Sequence, residues 1–165
     1  MTTDNFIFFW GGTFSQWCPS AFEIDGVEYN TAEQYMMAKK ALLFNDFDAY
    51  REIMLEKQPA LQIAIGRTVK GFDRIKWETY CRKYVYDANY AKFTQNSKMF
   101  KELMDSGNRE IVEASPEDKI WGIGLHARDE RCWDKSTWLG TNWLGEAIMS
   151  VRSTLQAEES ITFTD

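Results

Sequence analysis

Apolar residues in the first thirty positions come in short aromatic runs broken by turns: 6–10, then Gly11-Gly12, then 22–29 around Asp25-Gly26. Runs of this length with an Asp-Gly break predict a small β element that includes a hairpin. Thr31 with Gln34 three residues on fits a capping box, predicting a helix from there to about Phe44. Asn45-Asp46 restarts helical patterning, so 46–55 and 59–65 read as two short helices, the second opening on Pro59 and closing at Gly66. Asp73 can cap the longest helix, extending to about Phe93. Its apolar positions Trp77, Tyr80, Cys81, Tyr84, Val85 and Ala88 recur at three and four, turning one face inward. A further helix over 97–105 stops near Gly107, 110–114 reads as a strand, and 142–155 as a closing helix.

The pattern therefore predicts a mainly α fold with minor β: one compact helical domain over 1–155 with a small N-terminal β element, then a loose polar tail over 156–165. Between strand and closing helix, 115–140 is weakly periodic and rich in glycine and tryptophan. Loops of that length are usually functional or mobile.

Composition narrows the chemistry. At 165 residues and 44% hydrophobic, the chain can bury one good core. Its seven Trp, seven Tyr and eleven Phe either fill that core or offer flat faces for bases and sugars. A net charge of −6 gives no overall basic field for coating nucleic acid, although a local basic cleft for one or two phosphates remains open. Three scattered cysteines, Cys18, Cys81 and Cys132, lack metal-ligand spacing and read as reduced packing thiols. With no signal-peptide pattern and no long apolar run, the expectation is a cytoplasmic protein without a membrane segment. The sole histidine, His126, argues against triad hydrolases and His-based zinc sites, so hydrolytic chemistry would rest on carboxylates, lysine or a bound ligand; no metal and no cofactor are expected.

On the helix after Thr31, Glu33, Met36, Met37, Lys40 and Phe44 share one face. Seven residues of rise, about 10 Å, place Glu33 and Lys40 to flank a ligand rather than pair with each other. Spacing alone also allows Glu33 to be a surface acid complementing the helix dipole and Lys40 to snorkel to solvent. Lys39 lies on the neighbouring stripe with Tyr35 and reads as a surface residue. Trp77 is either a core plug or a stacking platform, and Lys92, about 22 Å further along the same helix, cannot grip the same small ring. Asp118 opens a capped turn before Trp121-Gly122-Ile123-Gly124, a weak phosphate-loop signal.

In order, Phe14-Ser15, Asp25-Gly26, Thr31-Ala32-Glu33-Gln34-Tyr35 through Lys40, Gly66-Arg67, Trp77, Asp118 to Gly122 and Leu144-Gly145 resemble the NADAR or YbiA-like family, from about Phe8 to Leu155. The most specific part is the T-x-E-x-Y-x-x-A-x-K helix followed by a tryptophan, then W-G, then an N-x-L-G-like turn beginning at Asn142. The resemblance implies a mainly helical fold and N-glycosidase chemistry on ribosyl–nitrogen bonds. Removal of ADP-ribose from guanine, free or in nucleic acid, is the leading expectation. The alternatives are hydrolysis of phosphoribosylaminopyrimidine intermediates of riboflavin synthesis and a non-catalytic module that binds ADP-ribose. Partners are then nucleotide-like small molecules.

By the same resemblance Glu33, Trp77 and Asp118 look like the active-site trio and Lys40 like an amine for covalent capture of ribose. Phe14, Ser15, Tyr35, Arg67, Trp121, Gly122 and Asn142 are implied to bind substrate. Where some members carry an acidic residue after W-G, this chain has Ile123, and its 125–139 insert is longer. Asp129 or Asp134 is a candidate to supply the missing contact.

Overall fold

The computed structural model describes residues 5–162. Residues 1–4, at the start of the expected domain, and 163–165, at the end of the expected tail, lie outside them. Across the described residues the chain is mainly helical, with six α-helices and four short strands. No helix among these residues is long and apolar enough to cross a membrane. No cluster of His, Cys, Asp and Glu among them could hold a metal ion. Contacts divide the described residues into two compact units, one of residues 16–97 and one built from 5–15 together with 98–162.

In the first of these units the expected hairpin forms from β2 (Phe22–Ile24) and β3 (Val27–Tyr29), paired antiparallel with Phe22 opposite Tyr29. Asp25 and Gly26 both take positive φ, 53° and 80°, the backbone that a tight two-residue turn between twisted strands requires. Helix α1 (Ala32–Leu43) starts as the capping signal predicts, with the Gln34 N–H donating to Thr31 Oγ1 at 3.0 Å. Gln34 Oε1 then accepts from the Asn30 N–H rather than from that of the cap residue. The Thr31 hydroxyl also donates to Gln62 Oε1, and the Gln34 amide reaches the Ile53 carbonyl, tying α1 to α2 (Phe47–Leu55) and α3 (Pro59–Gly66) through buried hydrogen bonds.

Every side chain from Ala32 to Ala38 is buried, so α1 has no broad solvent face over its first two turns. That exceeds the single apolar stripe expected from sequence, because α2, α3 and α4 (Arg74–Gln95) all pack on this one helix. Gly66 does not end α3 as a left-handed cap. Arg67 is the cap, with ordinary helical dihedrals, and a Cβ at Gly66 would collide with the Met37 sulfur, so the glycine is there for close packing. Asp73 caps α4 as predicted, accepting from Lys76 N–H. Of the expected inward face, Cys81, Val85 and Ala88 are buried, whereas Tyr80 is exposed.

In the second unit the first strand of the N-terminal β segments has a distant partner. Strand β1 (Phe6–Phe9) pairs in parallel with β4 (Glu110–Glu113), Phe6 opposite Glu110, and not with the hairpin. Alternation cannot reveal a partner a hundred residues away. The long 115–140 segment is folded rather than loose. Ile123, Leu125 and Cys132 join Phe6 and Val112 in a core, with Phe8, Trp133 and Trp138 packed on it. Two 3-10 turns, Glu130–Trp133 and Lys135–Thr137, are capped by Asp129 and Asp134. After α5 (Ser97–Asp105) and this segment, α6 runs from Trp143 to Thr162. The expected loose tail is thus helical over 156–162. No glycine or proline interrupts it, and the Gln156 amide is fastened to the Gly107 carbonyl.

Asn142, at φ 52° and buried, precedes α6. Its Oδ1 accepts from the Glu113 N–H and its Nδ2 donates to the Ile111 carbonyl, both at 3.0 Å, so one amide bolts the helix start to β4. Asn142→Ala deletes both bonds and leaves a side chain poorly suited to that backbone. It should cost the full chain about 2 kcal/mol or more, read as a lowered urea midpoint. An unchanged midpoint would show that the two bonds carry no net stability.

Candidate active site

The cap at Thr31 fixes the first turn of α1 and with it Glu33, whose N–H donates to the Gln16 carbonyl at 3.1 Å. Glu33 is 5% exposed. That removes the alternative of a surface acid serving only the helix dipole, since a carboxylate taken out of water needs a partner or a task. Two turns on, Lys40 is half-buried rather than snorkelling. Its Nζ lies 4.7 Å over the Phe72 ring and 5.6 Å over the Trp77 ring.

Burial pushes the Lys40 amine below the usual lysine range, Glu33 pulls it back up, and the Arg67 guanidinium pushes it down again. Three expected site residues, Glu33, Trp77 and Arg67, therefore act on one amine. Trp77 sits half-buried in the first turn of α4, and Arg67 is exposed just past α3. A carboxylate, a partly desolvated amine, a guanidinium and two aromatic faces can hold and cleave a flat, phosphorylated sugar adduct.

Other expected residues go elsewhere. Tyr35 is 3% exposed and packs edge-on against Tyr29 with centroids 4.9 Å apart, so its ring serves the core under the hairpin. Lys39, expected at the surface, is half-buried with Nζ 5.5 Å over the Tyr35 ring. Lys92 is wholly buried in the other half of α4, where desolvation holds its amine down at about 8.

In the second unit, Phe14 packs against Phe9 with centroids 5.8 Å apart, and the Ser15 N–H closes a turn on the Gly12 carbonyl. Asp118 Oδ1 accepts from the N–H groups of Ile120 and Trp121, and Trp121 stands edge-on to Trp143. Gly122 lies so close to the Glu113 carbonyl that an added Cβ would be 2.9 Å from it. Asn142, implied to bind substrate, spends its amide on β4 as described. Asp129 and Asp134 do not stand ready for a ligand either: each caps its own turn, and Arg131 together with its N–H holds Asp129 down at about 2. His126 is exposed, beside Trp10, with Nδ1 accepting from the Arg128 N–H.

Phe72 is the residue that sequence reading passed over. It follows Gly71, which takes φ 77°, and precedes the Asp73 cap. No sequence motif marks it, and its ring, 47% exposed, is picked out by lying over the Lys40 amine.

A depressed amine carries a larger neutral fraction at a given pH, and neutral amines acylate. Near neutral pH, Lys40 should be labelled by a small acylating reagent faster than the exposed lysines, as read by peptide mass spectrometry. Glu33→Gln removes the charge that raises the amine and should quicken labelling, while Arg67→Gln should slow it. Labelling of Lys40 at the rate of Lys57, unaltered by either change, would contradict this electrostatic account.

A family model described as the NADAR domain matches residues 8–156. The N-glycosidase R617 of Acanthamoeba polyphaga mimivirus is 42% identical, over 92% of this chain and 97% of its own length. The chloroplastic riboflavin biosynthesis protein PYRR of Zea mays is 30% identical over 86% of this chain and 23% of its own. The NMR structure of YbiA from E. coli superposes with a TM-score of 0.78 at 26% identity, covering 96% of this chain and 89% of that one. With its helical architecture, its Glu33–Lys40 helix and a match along nearly its whole length, the chain belongs to the NADAR domain family, among hydrolases that act on N-glycosyl compounds.

Proposed function

We propose that this chain hydrolyses the bond between a ribose and a nitrogen base, with ADP-ribose linked to guanine as the substrate. The observation that carries the reading is the setting of Lys40: an amine under two aromatic faces, with the buried Glu33 and the exposed Arg67 both acting on its charge. The relatives named as N-glycosidases support the reaction class. Arg67, whose planar fork suits a phosphate, supports a phosphorylated ribosyl group, and the choice of ADP-ribose rests on the family resemblance.

Breaking a ribosyl C–N bond builds positive character on the anomeric carbon, which a buried carboxylate stabilises. In the direct route Glu33 offsets that charge and orients water; one water is consumed, its hydroxyl going to the sugar and its proton to the departing nitrogen. In the covalent route the neutral Lys40 amine adds to the first carbon of the ring-opened ribose and displaces the base. Water then hydrolyses the resulting imine, returning the free amine and the sugar. Trp77 stacks on the base or sugar in both.

A second substrate has one specific support, the likeness to a riboflavin biosynthesis protein. The two are separated by incubating the protein with ADP-ribosylated guanosine and with the phosphoribosylaminopyrimidine and measuring released base by chromatography. Release from the first is expected, with Glu33→Gln slower by about a hundredfold or more. Equal rates for Glu33→Gln and parent would remove Glu33 from the chemistry. Tight binding of ADP-ribose with no release from either substrate would make the chain a binding module instead. Borohydride added during turnover should leave a reduced adduct on Lys40 if the covalent route operates, and none if water attacks directly.

A further inference from the structure

Phe72 is given no role of its own in the two routes above, yet it makes the closer of the two ring contacts to the amine. Its ring centroid is 4.7 Å from Lys40 Nζ, against 5.6 Å for Trp77. A cation over the faces of two rings means that both faces look toward one point. The two distances bound the centroid separation at about 10 Å, a range that includes the roughly 7 Å that a flat ring stacked at about 3.5 Å from each face needs.

The ring is also held where such a wall is needed. Phe44, the cap residue of α1, stands against Phe72 with centroids 5.4 Å apart at 61°, and the Lys76 amine lies 5.8 Å over the Phe44 ring. Trp77 is backed in turn by Tyr84 at 6.1 Å. Each of the two rings is in contact with a further aromatic ring. At 47% exposed, the Phe72 ring keeps much of its surface open to a ligand.

We infer that Phe72 is the second wall of the leaving-group site, clamping a flat nitrogenous ring against Trp77 so that the ribosyl carbon lies beside Lys40, and that this clamp selects aromatic leaving groups. The inference rests on the N-glycosidase reading and adds to it the residue that recognises the base. Stacking is indifferent to the hydrogen-bonding edge, so the clamp distinguishes flat heteroaromatic leaving groups from aliphatic or guanidino ones rather than one base from another.

The test uses the full chain with ADP-ribosylated guanosine and the variants Phe72→Ala, Phe72→Leu and Phe72→Tyr. Loss of one stacking face should raise KM about tenfold or more in the Ala and Leu variants, while Tyr stays close to the parent. Unlike a structural defect, this pattern spares kcat more than KM and is rescued by the aromatic replacement with the same circular dichroism spectrum throughout. Parent-like KM for Ala and Leu would overturn the clamp. A parent that releases no base defeats the hydrolytic reading instead, and the clamp is then read from equilibrium dialysis of guanosine. Weaker retention by Phe72→Ala than by the parent sustains it, and equal retention, including none by either, overturns it.

Discussion

Helix α1 is buried on every side over its first two turns, and its polar groups must therefore be satisfied from within the protein. The cap at Thr31 does this for the backbone. Gln62, buried completely, joins the cap hydroxyl to Asn30 and to the Glu56 carbonyl, and Gln34 reaches the carbonyls that end α2. Hairpin, α2 and α3 are held to α1 by the same few amides. Removing one partner would strand others away from water, which is why this cluster constrains the unit more than any single apolar contact.

The same burial gives the site its chemistry. Water is kept from one side of Lys40 by Phe72 and Trp77, so the amine loses part of its hydration while its charge is contested by Glu33 and Arg67. A lysine on an exposed helix would stay protonated and inert. Position along the helix supplies the components, and packing around the helix makes them reactive.

Much of this was legible locally. Asp25-Gly26, Thr31, Pro59 and Asp73 each name a turn or a cap by their own stereochemistry, and the structure places them as such. What escaped depends on distant partners. β1 finds β4 a hundred residues on. Gly66 is glycine because of Met37. Asn142 reads as a binding residue until its amide is seen bonded to β4, and Asp129 and Asp134 look available until their turns are seen. Tyr80 belongs to the right periodicity but lies outside the buried stretch of α4. The family motif brought Glu33, Lys40 and Trp77 together in advance. Phe72 belongs to no motif, and only its ring over the amine exposes it.

The central claim is that ribosyl chemistry takes place on the α1 face carrying Glu33 and Lys40. The most direct measurement is a crystal structure of the Glu33→Gln protein with ADP-ribosylated guanosine. The account predicts the ribosyl carbon next to Lys40 Nζ, with the base against Trp77. Ligand density away from Lys40 and Trp77 would contradict it.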